Sequence, residues 1–447
     1  MFANHRRAFQ EQMEEGDLAL FPGASFATRN HDVEYPFRQQ ADYWYLTGHG
    51  EADGILLLSK GIDGLPNDGL FVLPKDAEKE TWTGVRLGPE GAKSTLGFQE
   101  AWCLEEASKL IPEAIQKAKR LWYRIGENAA LDKQVLGAVT ASRMKARLGI
   151  HPPEAIVEPT HVLHEMRLFK TEEELSFMRQ ASAVSAEGHI LAMAQAASGV
   201  GEWELQALLD YTFRRNGGDG WSYPAIVAGG SNACILHYNT NHQTLRDGDL
   251  CLIDAGAEFS CYAADITRTF PVNGKFMPDQ KAAYESVLVA ELAAIDACKP
   301  GASFNEVHMA AVRSLSASLV ELGVLKESVE EIVEKELYKP WYLHNTSHWI
   351  GLDVHDAGRY KNGEEFRSLE AGMCLTVEPG LYFAENDERV PKALRGMGIR
   401  IEDDILITPG GNENLTLAAP KTVEDVEAAC SAARVMPPVL DTELVAK

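Results

Sequence analysis

The sequence predicts an α/β protein of two domains: an N-terminal α/β domain over residues 1–166 and a C-terminal α+β domain over 167–447, the second made of two similar halves. Three observations predict it. At 447 residues the chain is too long for one ordinary core. Pro152, Pro153 and Pro159 break the pattern just before a clear helix start at Thr171. Two helix openings about a hundred residues apart then echo each other, each followed by β-rich sequence carrying carboxylates.

The elements follow in chain order. Residues 6–14 read as a charged helix. The runs Gly54–Leu58 and Gly69–Leu73 are short, apolar and bounded by turn residues, the signature of buried strands. Helical stretches are expected near 104–119 and 130–148. Thr171 and Glu174 have capping-box spacing: a hydroxyl that receives a backbone N–H, and a carboxylate three residues on that reaches back. Leu175, Met178, Ala181 and Val184 continue that helix. The echo pairs Gly199-Val-Gly-Glu-Trp-Glu-Leu with Gly301-Ala-Ser-Phe-Asn-Glu-Val. Residues 422–434 read as a last helix, and the end of the chain as mobile.

Composition narrows the function. The chain is 45% hydrophobic and 24% charged, as soluble globular proteins are. Its formal charge of −24 argues against nucleic acid and anionic membrane surfaces, which attract basic patches. The seven cysteines include no C-x-x-C pair, so neither a disulfide framework nor a thiolate zinc site is expected, and most should be reduced and buried. The N-terminus has no apolar signal core and no run is long enough to span a bilayer, which makes the cytoplasm the expected location.

Four segments carry chemistry. The run Leu250-Cys-Leu-Ile-Asp254 is an apolar strand ending in an acid, and Tyr262–Phe270 reads as a second strand with Asp265 inside it. Residues opposite each other in such a hairpin lie about 5 Å apart, so Asp254 and Asp265 can meet. Paired carboxylates repel, and the pairing makes sense if they share a proton or a cation. His344, His348 and His355 fall within twelve residues, and they cannot all be given one role: some would bind metal, others would serve a substrate. Met373–Glu378 is again a strand ending in an acid. In Gly398–Thr408, Arg400 and Glu402 fall on one face by the two-residue period. One such acid would be unremarkable on a solvated strand end; four with a histidine cluster suggest metal. Four carboxylates and a neutral imidazole carry −4, which two divalent ions offset. Oxygen-rich ligands with one histidine favour Mn²⁺, with Co²⁺ or Zn²⁺ as substitutes.

These phrases (IDAGAEFSCYAADITRTFP, SHWIGLDVHD, VEPGLY, GIRIEDD) resemble the aminopeptidase P and prolidase branch of the pita-bread metallopeptidases. The likeness covers roughly residues 167–415, and Ser25–Gly48 is similar to the N-terminal domain of bacterial aminopeptidase P. It implies a five-ligand set of Asp254, Asp265, His348, Glu378 and Glu402 for two metals bridged by a water or hydroxide. Asp254 would chelate one metal, His348 would complete the other, and Asp265 and Glu402 would bridge. Glu378 would also handle the nucleophile's proton. His237 and His355 would lie near the substrate, one of them stabilising the tetrahedral intermediate. Tyr223, His344 and Arg400 would line a proline pocket. The implied activity is release of the first residue from peptides with proline second. Trp82 would reach a neighbouring subunit's site in a homodimer or homotetramer. Asn345 departs from the pattern, standing where glycine is expected.

Prolidase, which splits only Xaa-Pro dipeptides, is the nearest alternative, and the N-terminal likeness disfavours it. A methionine-aminopeptidase-like activity does not account for the long N-terminal domain. An inactive binding module, or metal-free chemistry on the same fold, would be expected to lack ligands, and all five are present.

Overall fold

The computed structural model describes residues 1–434. The chain divides into two compact units, Met1–Arg167 and Leu168–Lys447.

The first unit is built on a six-stranded sheet in the order Glu100–Cys103, Asp68–Val72, Ile55–Lys60, Asp17–Pro22, Arg120–Trp122, Ala155–Val157. Both apolar runs read from sequence are strands in it. The strand beside them, Asp17–Pro22, was not foreseen: it is buried throughout and opens on an acid, which hides it from an apolar-run search. Asp17 is held there by Arg120 Nε at 2.8 Å and Nη2 at 2.7 Å. Leu18, Leu20, Leu57, Phe71, Ile111, Leu121 and Val135 form the core between this sheet and the helices Ala107–Ile115 and Ala129–Met144. The first helix is Phe2–Glu11, earlier than the charge pattern suggested, because Phe9 and the paired Arg6 are buried rather than solvated.

The second unit repeats one motif. The helices Glu172–Gln195 and Glu202–Arg215 form one pair, Pro278–Ala297 and Phe304–Glu321 the other. The echo in sequence is an echo in hydrogen bonding. Gly199 N–H donates to Leu245 O at 2.9 Å, and Gly301 N–H to Leu369 O at 2.8 Å. In return Leu245 N–H donates to Val200 O and Leu369 N–H to Ala302 O, both at 2.8 Å. Both glycines have left-handed φ, 91° and 88°, which explains why glycine stands at each turn. Glu204 reaches back to Gly201 N at 2.9 Å, and Glu306 to Ser303 N at 2.7 Å. Each half then enters a three-stranded sheet. In the first, Leu250–Asp254 lies between Ile226–Gly229 and Thr267–Pro271; in the second, Asp403–Thr408 lies between Cys374–Val377 and Gly411–Asn414.

Some expectations need correction. Asp265 is not inside a strand. The chain after Asp254 leaves for a small second sheet (Ala257–Phe259 with Tyr262–Ala263) and resumes the first only at Thr267, so Asp254 faces Thr267 in register. The crossing is tight: a Cβ on Gly256 would lie 1.7 Å from Ala264 O. The strand through Arg400 is likewise split, Met397–Arg400 and Asp403–Thr408 belonging to different sheets, with Glu402 bridging to Thr267 between them. The last helix, Val423–Cys430, is shorter than expected, and the segment beyond residue 434 lies outside the described residues. Three of the seven free cysteines are buried and four are half-buried, so burial is less general than expected. Among the described residues no helix is long and apolar enough to cross a membrane.

Candidate metal centre

The strand breaks just described aim the carboxylates. Asp254 ends the central strand of its sheet, where the ladder stops and the side chain enters a cavity. Asp265 lies in the crossing segment, and its amide donates to Asp404 Oδ2 at 2.9 Å instead of to a ladder partner. Glu402 donates its amide to Thr267 O at 3.1 Å and accepts from Thr267 Oγ1 at 2.6 Å. Glu378 follows the strand Cys374–Val377, and its amide donates to Thr346 O at 2.8 Å. The His348 loop is latched to that strand: His348 N–H donates to Thr376 Oγ1 at 3.1 Å, and Thr376 N–H returns to His348 O at 2.9 Å.

All five meet at one cavity of about 480 Å³. Asp265, His348 and Glu402 each offer a donor atom within 4.8 Å of the others. His348 Nδ1 lies 3.0 Å from Trp349 O, which fixes the tautomer with its proton there. Nε2 then faces Asp265 Oδ2 at 3.5 Å and Glu378 Oε1 at 3.6 Å.

The electrostatics are those of a cation site. Burial, then repulsion from Asp254, holds the Asp265 carboxyl above its usual range. Glu402 is pushed up by burial and by Asp265, Glu378 and Asp254 in turn. Burial raises Glu378 to about 8 against the pull of His348 and Arg400. Burial opposes a charged His348, yet the Asp265 hydrogen bond and the neighbouring carboxylates raise it to about 9. Each shift has one cause: too much negative charge in too little water. Oxygen donors with one imidazole nitrogen suit a divalent ion, and these residues fit one.

The other predicted residues fall at the same cavity with differing surroundings. Tyr223 directs its hydroxyl between two of the carboxylates: it hydrogen-bonds Asp254 Oδ1 at 2.6 Å and also Asp265 Oδ1. Arg400 is buried, with Nη2 on Asp254 Oδ2 at 2.5 Å, Nε on Thr267 Oγ1 at 3.0 Å and Nη1 on Tyr382 OH at 2.9 Å. It adds a positive charge that the four-acid count leaves out. His344 Nε2 lies 2.7 Å from Tyr382 OH, and burial followed by the Arg400 charge lowers it to about 4, so it is neutral. His237 and His355 are exposed at the rim. Asn345 lines the cavity without a left-handed φ, so the loop makes no demand for glycine there. Trp82 is 85% exposed on the helix Ala77–Thr83 of the first unit.

Sequence reading missed the supports. Thr267 and Tyr382 order the ligands and Arg400, and both stand in quoted motifs, but a hydroxyl in a strand gives no distinguishing signal. Arg268 was missed too: fully buried, it donates to Asp403 Oδ1 and Glu402 O at 2.6 Å, to Thr267 O and Ala419 O at 2.9 Å and to Pro420 O at 3.0 Å. It clamps the strand start that follows Asp265 to the segment that carries Glu402.

Comparison with known proteins agrees with this geometry. Residues 176–409 match the model of metallopeptidase family M24, and residues 2–122 match the aminopeptidase P N-terminal domain. The chain is 42% identical to an Xaa-Pro aminopeptidase of Escherichia coli, over 97% of this chain and 98% of that protein. It resembles the structure of Pseudomonas aeruginosa aminopeptidase PepP with a TM-score of 0.94 and 44% identity, covering 96% of this chain and 97% of that one. A zinc-substituted E. coli aminopeptidase P in complex with product gives the same TM-score at 42% identity, covering 97% and 98%.

Proposed function

Because the chain belongs to metallopeptidase family M24 and carries an N-terminal domain of the aminopeptidase P type, we propose that it is an Xaa-Pro aminopeptidase, a metallo-exopeptidase that releases the first residue from peptides with proline second. The observation that carries the reading is the meeting of Asp254, Asp265, His348, Glu378 and Glu402 at one cavity. These five would hold two divalent ions, Mn²⁺ by preference. When bound, the metal makes hydroxide available near neutral pH and polarises the scissile carbonyl.

The protein's own groups do the rest. Glu378 stands beside His348 and takes the proton of the attacking water, then delivers it to the departing proline nitrogen. His237 and His355 stand at the rim near the substrate, and one of them donates to the carbonyl oxygen as it gains charge. Proline after the scissile bond forms a tertiary amide without an N–H, so recognition must rest on the ring rather than on a donor. The imidazole of His344, which lines the cavity and is held by Tyr382 OH at 2.7 Å, suits that ring. Arg400 fixes Tyr382 and Asp254 together and so couples the ring site to the ligands. Tyr223 sets the spacing of Asp254 and Asp265 through its hydroxyl. We propose further that the enzyme acts as a homodimer or homotetramer, with Trp82 at a subunit contact.

The decisive assay compares an Xaa-Pro-Yaa tripeptide with the Xaa-Pro dipeptide. Release of Xaa from the tripeptide is expected. Hydrolysis of the dipeptide alone would overturn the assignment.

A further inference from the structure

A second cavity of about 460 Å³ adjoins the metal cavity. The two share Asn345, Ser347, His348 and His355 as a common wall. The far side of the second is aromatic, formed by Phe304, Tyr360 and Phe366. These rings are held in place: Phe304 meets Tyr360 edge-on at 5.0 Å, and Tyr360 stacks on Trp349 at 5.6 Å. Phe366 ends the short hairpin Lys361–Asn362 with Glu365–Phe366, with the Lys361 ammonium 4.3 Å from its ring centre. The shared wall carries a buried polar group without a partner. Ser347 is 7% exposed, and its Oγ has no hydrogen-bond partner among the described residues. A buried hydroxyl left unpaired in a cavity wall is free to bond a molecule that enters the cavity.

Direction of the peptide decides what that ligand is. An enzyme that removes one residue from the amino end closes around that residue. Only the chain beyond the proline continues outward. A cavity sharing its wall with the reacting centre therefore meets the third residue. We infer that the second cavity binds the side chain that follows the proline, and that it favours an aromatic or large apolar one. Ser347 Oγ bonds the peptide backbone at the same point. The inference rests on the proline-specific reading above and extends it to a third substrate position.

The test measures kcat/KM on Ala-Pro-Phe and Ala-Pro-Gly for the wild-type enzyme and for Phe366→Ala. Phe366 is 38% exposed, and the melting temperature of the variant, measured beside the kinetics, reports on its fold. The wild-type enzyme is expected to favour Ala-Pro-Phe by roughly tenfold or more, the scale on which apolar pockets discriminate. Phe366→Ala is expected to lose most of that preference, through a fall in kcat/KM on Ala-Pro-Phe. Equal rates on both peptides in the wild type, or an undiminished preference in the variant, would overturn the subsite and leave the proline reading standing. Failure to cleave either tripeptide would sink the proline reading, and the subsite with it.

Discussion

Asp254 and Glu378 occupy equivalent positions in two copies of one local structure. Each stands nine residues after the leucine, Leu245 or Leu369, that closes the glycine turn ahead of a helix. Asp254 is the last residue of its strand and Glu378 the first after its own, both at the same cavity, one from either half. The pseudo-symmetry thus gives the centre a carboxylate from each side. The histidine, by contrast, comes only from the second half, and with it the asymmetry a reaction needs.

That asymmetry gives the first prediction. Glu378 has His348 Nε2 at 3.6 Å, whereas Asp254 is engaged by Arg400 and Tyr223. Glu378→Ala should therefore lower kcat by about 10³-fold or more, since it removes a ligand and a proton carrier together. The metal-free variant should melt no lower than the metal-free parent, because one buried carboxylate has left a mutually repelling group. Kinetics and calorimetry on the same preparation check both. A near-normal kcat would refute the role.

Metal removal is the second. Exhaustive chelation should abolish hydrolysis, and Mn²⁺ should restore it. With free ion at about a hundred times its Kd, binding stabilises the native state by about 2.7 kcal/mol per site, enough to raise the melting temperature by several degrees. Elemental analysis beside the assay decides the matter: full activity in metal-free protein would contradict the cation site.

The third concerns the first unit. Burial works against a charged Asp42, but His164 at 3.2 Å and the Arg167 guanidinium at 2.6 Å override it and hold its carboxyl at about 2, below the usual 3.8. A depressed carboxyl stabilises the fold fully above its unfolded pKa and loses that contribution as pH falls towards the folded one. The window is therefore from about 3.8 down to about 2, and the shift corresponds to about 2 kcal/mol. Asp42→Asn should melt well below the parent at about pH 6, with the gap narrowing at about pH 3. A gap independent of pH would show that Asp42 acts through packing alone.

Much of the site could be read along the chain because its chemistry is local. Acids at the ends of apolar runs, a histidine cluster, and the glycine echo all lie within short windows. The echo is the clearest case, since two backbone turns that need left-handed φ leave glycine at both. The same holds for strands such as Ile55–Lys60, whose burial on both faces writes itself as an unbroken apolar run.

Other features depend on partners far away in sequence. Asp265 reads as a strand residue until the chain is seen to change sheets at Gly256, where Ala264 O leaves no room for a Cβ. Tyr223 and Arg400 line the cavity, and their polar atoms reach Asp254 across 31 and 146 residues. Arg268 joins five oxygens from three segments, and nothing in its neighbourhood in sequence foretells that. The sequence by itself determined which residues could hold a cation, because ligand chemistry belongs to the side chain. Only the tertiary structure decided which hydroxyls and guanidinium groups order those ligands, because a hydrogen bond is set by distance in space, and distance along the chain says little about it.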